Sequence, residues 1–134
     1  MSKNRLAIIF VMMFLILGTV PCALGATTGV SQYWTWTYGT YSSVGSNYIA
    51  PTGYSYAVAD VHIHNTGTKK ISTNPFYWYF IADGITYSPD TPTFDSSIYR
   101  SSVDVGQGGD ITTTFVYLVK GAPQTASLRY DDPY

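Results

Sequence analysis

The sequence predicts an all-β protein, an antiparallel β-sandwich of about seven strands that follows an N-terminal signal peptide helix. Two observations support this fold class. After the first 25 residues, Thr, Tyr, Val and Ser dominate the composition, and no segment carries the apolar stripe of a helix. Short strand-like segments are instead separated by turn signals at short spacing, which is typical of an Ig-like sandwich.

The first 25 residues have the organisation of a signal peptide. Lys3 and Arg5 precede an apolar run from residue 6 to residue 20. Small residues, Ala23 and Gly25, follow at the two positions that a signal peptidase reads. We therefore expect cleavage after residue 25 and a single domain over residues 26–134, secreted and possibly retained at the cell surface.

Two alternatives would keep the protein on the membrane. A retained anchor is disfavoured because a spanning helix needs about 20 apolar residues, more than this run contains. Lipidation of Cys22 is disfavoured because Pro21, directly before it, fits a lipoprotein cleavage site poorly. We expect a membrane contact only through one of these two routes.

Composition excludes some partners. The chain has 134 residues, a net charge of −1 and one cysteine, Cys22. Its acidic residues are all Asp, and the domain's only basic cluster is Lys69–Lys70, so nucleic acid is not an expected partner. Without a disulfide, the domain must fold by burial of apolar surface alone.

The segment from residue 55 to residue 65 predicts the central strand. Its apolar residues Ala57, Ala59, Val61 and Ile63 alternate with a second, more polar set. A period of two predicts one buried and one solvated face. A second alternating segment follows from residue 111 to residue 119. We expect the inner face of both to form the core, with Val61, Ile63, Phe115, Tyr117 and Val119 buried together.

Other strands are predicted at residues 30–38, 41–49, 76–81, 97–103 and 126–130. Turns are predicted at residues 65–70 and 106–109, and Asp83-Gly84 predicts a two-residue hairpin turn because both residues tolerate positive φ. The segment 76–81 is aromatic on both faces, so it is either central in the core or half exposed at a contact surface.

These motifs resemble a known family. The segments YAVADVHIHNTG from residue 56, NPFY from residue 74, DGITY from residue 83, TFVYLV from residue 114 and LRY from residue 128 carry the resemblance. The chain is similar to the secreted Ig-like domain-of-unknown-function family of bacterial and archaeal surface proteins and lipoproteins, sometimes misleadingly labelled telomeric repeat-binding factor. A glycine-rich turn at residues 106–109 replaces the family's usual Pro-Gly turn. The resemblance implies an extracellular, non-enzymatic domain without an agreed ligand.

Asp60, His62 and His64 share one face of the central strand. Two histidines two residues apart can share a metal ion, and a carboxylate can be a third ligand. The alternative, which we favour, is an ordinary solvated face, because strand alternation produces that pattern without any metal. We therefore expect no metal and no cofactor.

Trp34, Trp36 and Tyr38 also share one face, of the first predicted strand. Aligned aromatic rings can stack on sugar rings, which makes these residues candidate ligand contacts. The alternative is that they pack into the core, the usual role of large aromatic residues.

Catalytic signatures are missing from the domain: it has no thiol and no nucleophile elbow, and both histidines lie in one strand. We therefore expect a non-enzymatic domain. Two functions remain: a secreted or cell-surface domain that acts by protein contact, or a carbohydrate-binding module that uses surface aromatic residues on a polysaccharide.

Overall fold

The computed structural model describes residues 23–24, 26–28, 33–95, 97–98 and 101–134, with side chains from residue 33 onwards. The described chain is all-β, and its strands are β1 (Ala23–Leu24), β2 (Ala26–Thr28), β3 (Trp34–Tyr41), β4 (Ser43–Val44), β5 (Tyr48–Ile49), β6 (Tyr54–His64), β7 (Ile71–Ser72), β8 (Trp78–Ala82), β9 (Ile85–Tyr87), β10 (Asp104–Val105), β11 (Asp110–Lys120) and β12 (Ala126–Tyr130). Two short 3-10 turns, Pro75–Tyr77 and Thr91–Phe94, complete the regular structure of these residues.

Two four-stranded sheets form the predicted sandwich. The first sheet has the order β1-β3-β6-β11, and the second has the order β2-β12-β8-β9. Two small pairs, β4-β5 and β7-β10, lie outside them. All pairs are antiparallel except β2 with β12, which is parallel. The predicted antiparallel sandwich is thus confirmed, apart from this one parallel pair.

β6 lies at the centre of the first sheet, as its alternation predicts. Its partners are β3 and β11. The predicted core residues on the inner faces of β6 and β11 are all buried, namely Val61, Ile63, Phe115, Tyr117 and Val119. The small Ala59 lies between Tyr38 and Phe115 in the register of the three strands. Small and large residues therefore alternate across the sheet, which allows dense packing.

Aromatic rings join the two sheets. Trp34 meets the edge of Trp78 with ring centroids 5.0 Å apart, and Trp36 meets Phe80 at 6.0 Å. Tyr117 stacks on Phe80 and donates a hydrogen bond of 3.0 Å from its hydroxyl to the carbonyl oxygen of Trp78. Burial of the Tyr117 hydroxyl raises its pKa well above the ordinary value. This aromatic layer stabilises the sandwich through burial of apolar surface and ring packing, and the buried Tyr117 hydroxyl has a hydrogen-bond partner.

The aromatic segment 76–81 divides between core and surface. Trp78 and Phe80 on β8 are fully buried, whereas Tyr79 and Ile81 are half-buried on the outer side. Phe76, in the preceding 3-10 turn, is exposed. The alternation of a strand that has one solvated face accounts for the pattern.

Two predicted strands differ in their bounds from the observed ones. Residues 41–49 do not form one strand: β3 ends at Tyr41, and β4 and β5 form a small hairpin whose turn includes Gly45 at a φ of 59°. The described part of residues 97–103 contains no strand, and pairing resumes only at β10. The predicted hairpin turn is confirmed, with Asp83 and Gly84 at φ values of 50° and 81°.

The predicted signal segment lies outside the described residues, apart from Ala23 and Leu24. Those two form β1, which pairs with Thr37 and Tyr38 of β3. Cleavage before Ala26 would remove this pair and keep β2. The part of the chain that the structure describes contains no helix with the length and apolar composition needed to span a bilayer.

Candidate functional site

The outer face of the first sheet is divided into a polar and an apolar half. Antiparallel register places side chains of β3, β6 and β11 in rows across the sheet. The polar rows are Thr35-His62-Thr112 and Thr37-Asp60-Thr114, and the apolar rows are Gly39-Val58-Val116 and Tyr41-Tyr56-Leu118. Tyr41 folds back over Gly39, where a Cβ atom would lie only 2.8 Å from the tyrosine hydroxyl oxygen.

Asp110 connects the two histidines at the polar end of this face. It is the first residue of β11 and lies directly opposite His64. Nε2 of His62 lies 2.7 Å from Oδ1 of Asp110, and Nδ1 of His64 lies 3.0 Å from Oδ2. An ionised carboxylate only accepts hydrogen bonds, so both ring nitrogens donate. The carboxylate thus fixes the orientation of both imidazole rings.

The hydrogen bond from His62, together with the one from His64, lowers the pKa of Asp110 below its ordinary value. The ionised form of the carboxyl group is therefore favoured. About half of each of these three side chains is exposed to solvent. The arrangement presents one carboxylate and two imidazole rings to solvent on a pair of neighbouring strands.

The three candidate metal ligands predicted from the sequence share the outer face of β6, as strand alternation requires. They are Asp60, His62 and His64. The carboxylate that contacts the histidines is nevertheless that of Asp110, whereas Asp60 accepts a 2.6 Å hydrogen bond from the hydroxyl of Thr114. Within the described residues, no three His, Cys, Asp or Glu side chains are already arranged to hold a metal ion. Parity along β11 predicts that Asp110 faces outward, but the sequence does not reveal which residue of β6 lies opposite.

Two shallow depressions flank His62 on this face. One, of about 250 Å³, is lined by Thr35, Trp36, Thr37, Asp60, His62 and Thr112. The other, of about 210 Å³, is lined by Tyr33, Trp34, Thr35, His62, His64 and Thr66. Both are open to solvent, so that His62 is accessible from two sides and His64 from one.

The predicted aromatic ligand contacts belong to the core. Trp34 and Trp36 are only 3% and 1% exposed, so neither indole presents a face on which a sugar can stack. Tyr38 is partly buried, stacks on Trp36 and meets the edge of Phe80. The packing alternative is the one that the structure supports. Among the described residues, Nε1 of Trp34 is the one buried side-chain nitrogen or oxygen without a hydrogen-bond partner.

Asn65 has a structural role that the sequence did not reveal. The predicted turn begins at this residue, but its side chain is fully buried. Its amide group donates to the carbonyl oxygens of Lys69 and Val105 at 2.7 Å and 2.8 Å, and its carbonyl oxygen accepts from the Gly67 N–H at 3.0 Å. Asn65 therefore ties the turn after β6 to β10, close to the His–Asp cluster.

An exposed aromatic pair lies on two loops outside the strands. Phe76 and Phe94 stack with ring centroids 5.5 Å apart, and their exposed fractions are 61% and 41%. The Phe76 N–H donates to the side chain of Asn74 at 3.1 Å, which fixes the first loop. Phe94 ends the 3-10 turn Thr91–Phe94. Solvent thus contacts a preorganised apolar surface.

A solved structure shares this fold at low sequence identity. A Bacillus subtilis protein described as a "putative lipoprotein" has a TM-score of 0.52 and 10% identity. The match covers 83% of this chain but 38% of that one, so the chain spans about two fifths of the Bacillus protein. A conserved hypothetical protein from Bacillus anthracis has a TM-score of 0.47 and 11% identity, over 75% of this chain and 83% of that one.

No curated protein matches the chain. A family model does match, over residues 25–134, which is nearly all of the region that forms the sandwich. The family is described as a domain of unknown function, and the match agrees with the strand and turn motifs on which the resemblance was based. The chain therefore belongs to the DUF4352 family.

Proposed function

We propose that the chain is a non-enzymatic domain on the outside of the cell that binds another protein through the Phe76–Phe94 pair. The observation that carries this proposal is the stacking of two phenylalanine rings that remain exposed to solvent. Large exposed apolar surfaces on soluble proteins mark interaction sites, and aromatic residues are enriched at the centre of protein interfaces.

The geometry of the pair suits a protein partner. Stacking holds each ring in place before binding, so that little side-chain entropy is lost on association. The backbone hydrogen bond from Phe76 to Asn74 restrains the loop in the same way. A flat pair of rings offers no hydrogen-bond partner for a hydroxyl group. The apolar side chain of a partner protein is therefore the occupant that fits best.

An extracytoplasmic location rests on other observations. The first 25 residues have the basic, apolar and small-residue regions of a signal peptide. The Bacillus subtilis protein of similar fold is described as a "putative lipoprotein". By analogy with it, we infer a cell-surface location for this chain. Binding by contact also agrees with a fold whose described depressions are shallow and open.

Native purification from the envelope and culture medium of producing cells tests the proposal. We expect the parent protein to elute in size-exclusion chromatography at the mass of a complex with a second protein. A Phe76→Ser/Phe94→Ser variant should elute at its own mass, because the loss of a central aromatic residue costs about 2 kcal/mol or more. Its melting temperature should stay close to that of the parent because both rings are exposed.

The matched control is Ile49→Ser. Ile49 is 77% exposed and lies on the separate β4-β5 hairpin, so its loss removes apolar surface without touching the pair. This variant should keep the partner. A parent protein that elutes alone, or a double variant that keeps the partner, would contradict the proposal.

A further inference from the structure

We propose that His62, His64 and Asp110 form a surface site for one divalent transition-metal ion of the zinc, copper or nickel class. The ligands are Nε2 of His62, Nδ1 of His64 and one carboxylate oxygen of Asp110. This inference goes beyond the proposed protein contact, which uses other residues and a different part of the molecule.

The donor atoms are already close together. Each of the two ring nitrogens lies within 3.0 Å of an oxygen of the same carboxylate. Ligands about 2.0–2.1 Å from a tetrahedral zinc ion lie roughly 3.3 Å from one another. The N–O distances of 2.7 Å and 3.0 Å run to the two different oxygens of the carboxylate. They need to widen by about 0.3–0.6 Å, and the carboxylate must turn so that one oxygen faces both rings. Side-chain rotation suffices, since all three residues are on the solvated face.

The carboxylate of Asp110 holds the three side chains of the cluster together through hydrogen bonds. Asp110 lies between the two rings and accepts a hydrogen bond from each. Binding replaces these two hydrogen bonds with metal–ligand bonds, and each ring hydrogen moves to the opposite nitrogen of its imidazole. Asp110 contacts the rings through two different oxygens, so the three side chains of this cluster do not already surround a common point.

The surroundings favour a cation. Asp60 and Asp110 are both on the outer face, and of the outward positions of β3, β6 and β11 only Lys120 carries a positive charge. Lys120 is at the opposite end of β11 from Asp110, about 33 Å away at the rise of a β-strand. A depression of about 210 Å³ beside His62 and His64 gives solvent access to both rings.

The ligand set selects the class of metal. Two imidazoles with one carboxylate suit zinc, copper and nickel, whereas calcium requires six to eight oxygen atoms and magnesium prefers oxygen ligands and water. Three protein ligands leave at least one coordination position open to solvent. The ion would lie outside the core, so the fold should form without it.

Zinc titration of the protein, purified without a histidine tag at about pH 8, tests the site. We expect isothermal calorimetry to show one zinc ion bound per chain. Long-range ¹H–¹⁵N spectra should show the Nε2 signal of His62 and the Nδ1 signal of His64 shifting together. His64→Ala and Asp110→Ala should each weaken zinc binding about tenfold or more, and calcium should produce no shift of either ring.

Asp60→Asn is the matched control, because it removes a carboxylate from the same face without changing the three ligands. Its zinc affinity should stay within about twofold of the parent. The proposal is overturned if zinc shifts neither ring, or if Asp60→Asn weakens binding as much as Asp110→Ala does. Circular dichroism of each variant verifies folding. The zinc titration involves no partner protein, so a negative result does not bear on the proposed protein contact. Loss of the protein contact would likewise not bear on the zinc site.

Discussion

The hydroxyl of Thr93 pairs with the backbone N–H and carbonyl groups of Val116, as a neighbouring strand would. The hydroxyl donates to the Val116 carbonyl oxygen at 2.8 Å and accepts from the Val116 N–H at 2.9 Å. The Asp90 N–H donates to the same carbonyl oxygen at 2.7 Å. β11 has a strand partner, β6, on one side only, and exposed edges of this kind promote unwanted pairing. Thr93 and the Asp90 N–H therefore cover the outer edge of the first sheet at Val116.

Replacement of Thr93 by Val should destabilise the protein by about 1–3 kcal/mol. The side chain is 1% exposed, and valine keeps its shape but cannot pair with the Val116 N–H, which becomes buried without a partner. Chemical denaturation measures the change as a lower midpoint at constant slope. Thr93→Ser retains the hydroxyl and should cost less than the valine variant. Equal midpoints for Thr93→Val and the parent would show that the edge does not depend on this contact.

Strand parity could be predicted from the sequence because each strand has one buried face. The alternation in β6 and β11 identified Val61, Ile63 and Phe115 as core residues, and all three are buried. The hairpin at Asp83 was predictable because both of its turn residues tolerate positive φ.

Pairs of residues on different strands could not be predicted. The meeting of Asp110 with His64 depends on register, which the hydrogen bonds between Asn65 and the glycines at residues 108 and 109 help to fix. The small β7-β10 pair is missing from the prediction because strands of two residues carry no measurable periodicity. For the same reason residues 41–49 were assigned to one strand instead of a hairpin.

Val61→Asp should prevent folding. Val61 is fully buried on the inner face of β6, and an aspartate there would be a buried charge without a partner. The loss should appear as the absence of a cooperative thermal transition. Thr112→Asp introduces the same charge on the outer face of the neighbouring strand and should melt close to the parent. If Val61→Asp melts like the parent, the inner face has been assigned wrongly.

Asn65→Ala should cost about 3 kcal/mol of stability. The substitution removes three side-chain hydrogen bonds from a buried position and leaves the carbonyl oxygens of Lys69 and Val105 without this donor. Asn74→Ala removes one hydrogen bond from the more exposed turn before β8 and should cost about 1 kcal/mol or less. Denaturant midpoints of the two variants provide the comparison. A loss for Asn65→Ala no larger than that for Asn74→Ala would contradict a central role for Asn65.

Asp83 should make stability depend on acidity. Backbone N–H groups of Thr125 and Gln124 donate to its carboxylate and hold its pKa below the ordinary value of 3.8. Because the folded protein has the lower pKa, the stabilisation is complete above about pH 4 and is lost as the pH falls through the folded value. Asp83→Asn does not titrate. Its melting temperature should therefore lie below that of the parent at neutral pH, and the gap should narrow in acid. A gap that is constant from about pH 7 to pH 2 would exclude this linkage.

An extracytoplasmic location is the central claim, and labelling of intact cells tests it most directly. Ile49→Cys places a thiol at a position that is 77% exposed. The parent chain, whose one cysteine is Cys22 in the segment expected to be removed, is the matched control. A membrane-impermeant maleimide should label the Ile49→Cys protein on unbroken cells or in the medium, and label the parent far less. Labelling of the variant only after the cells are lysed would contradict the account.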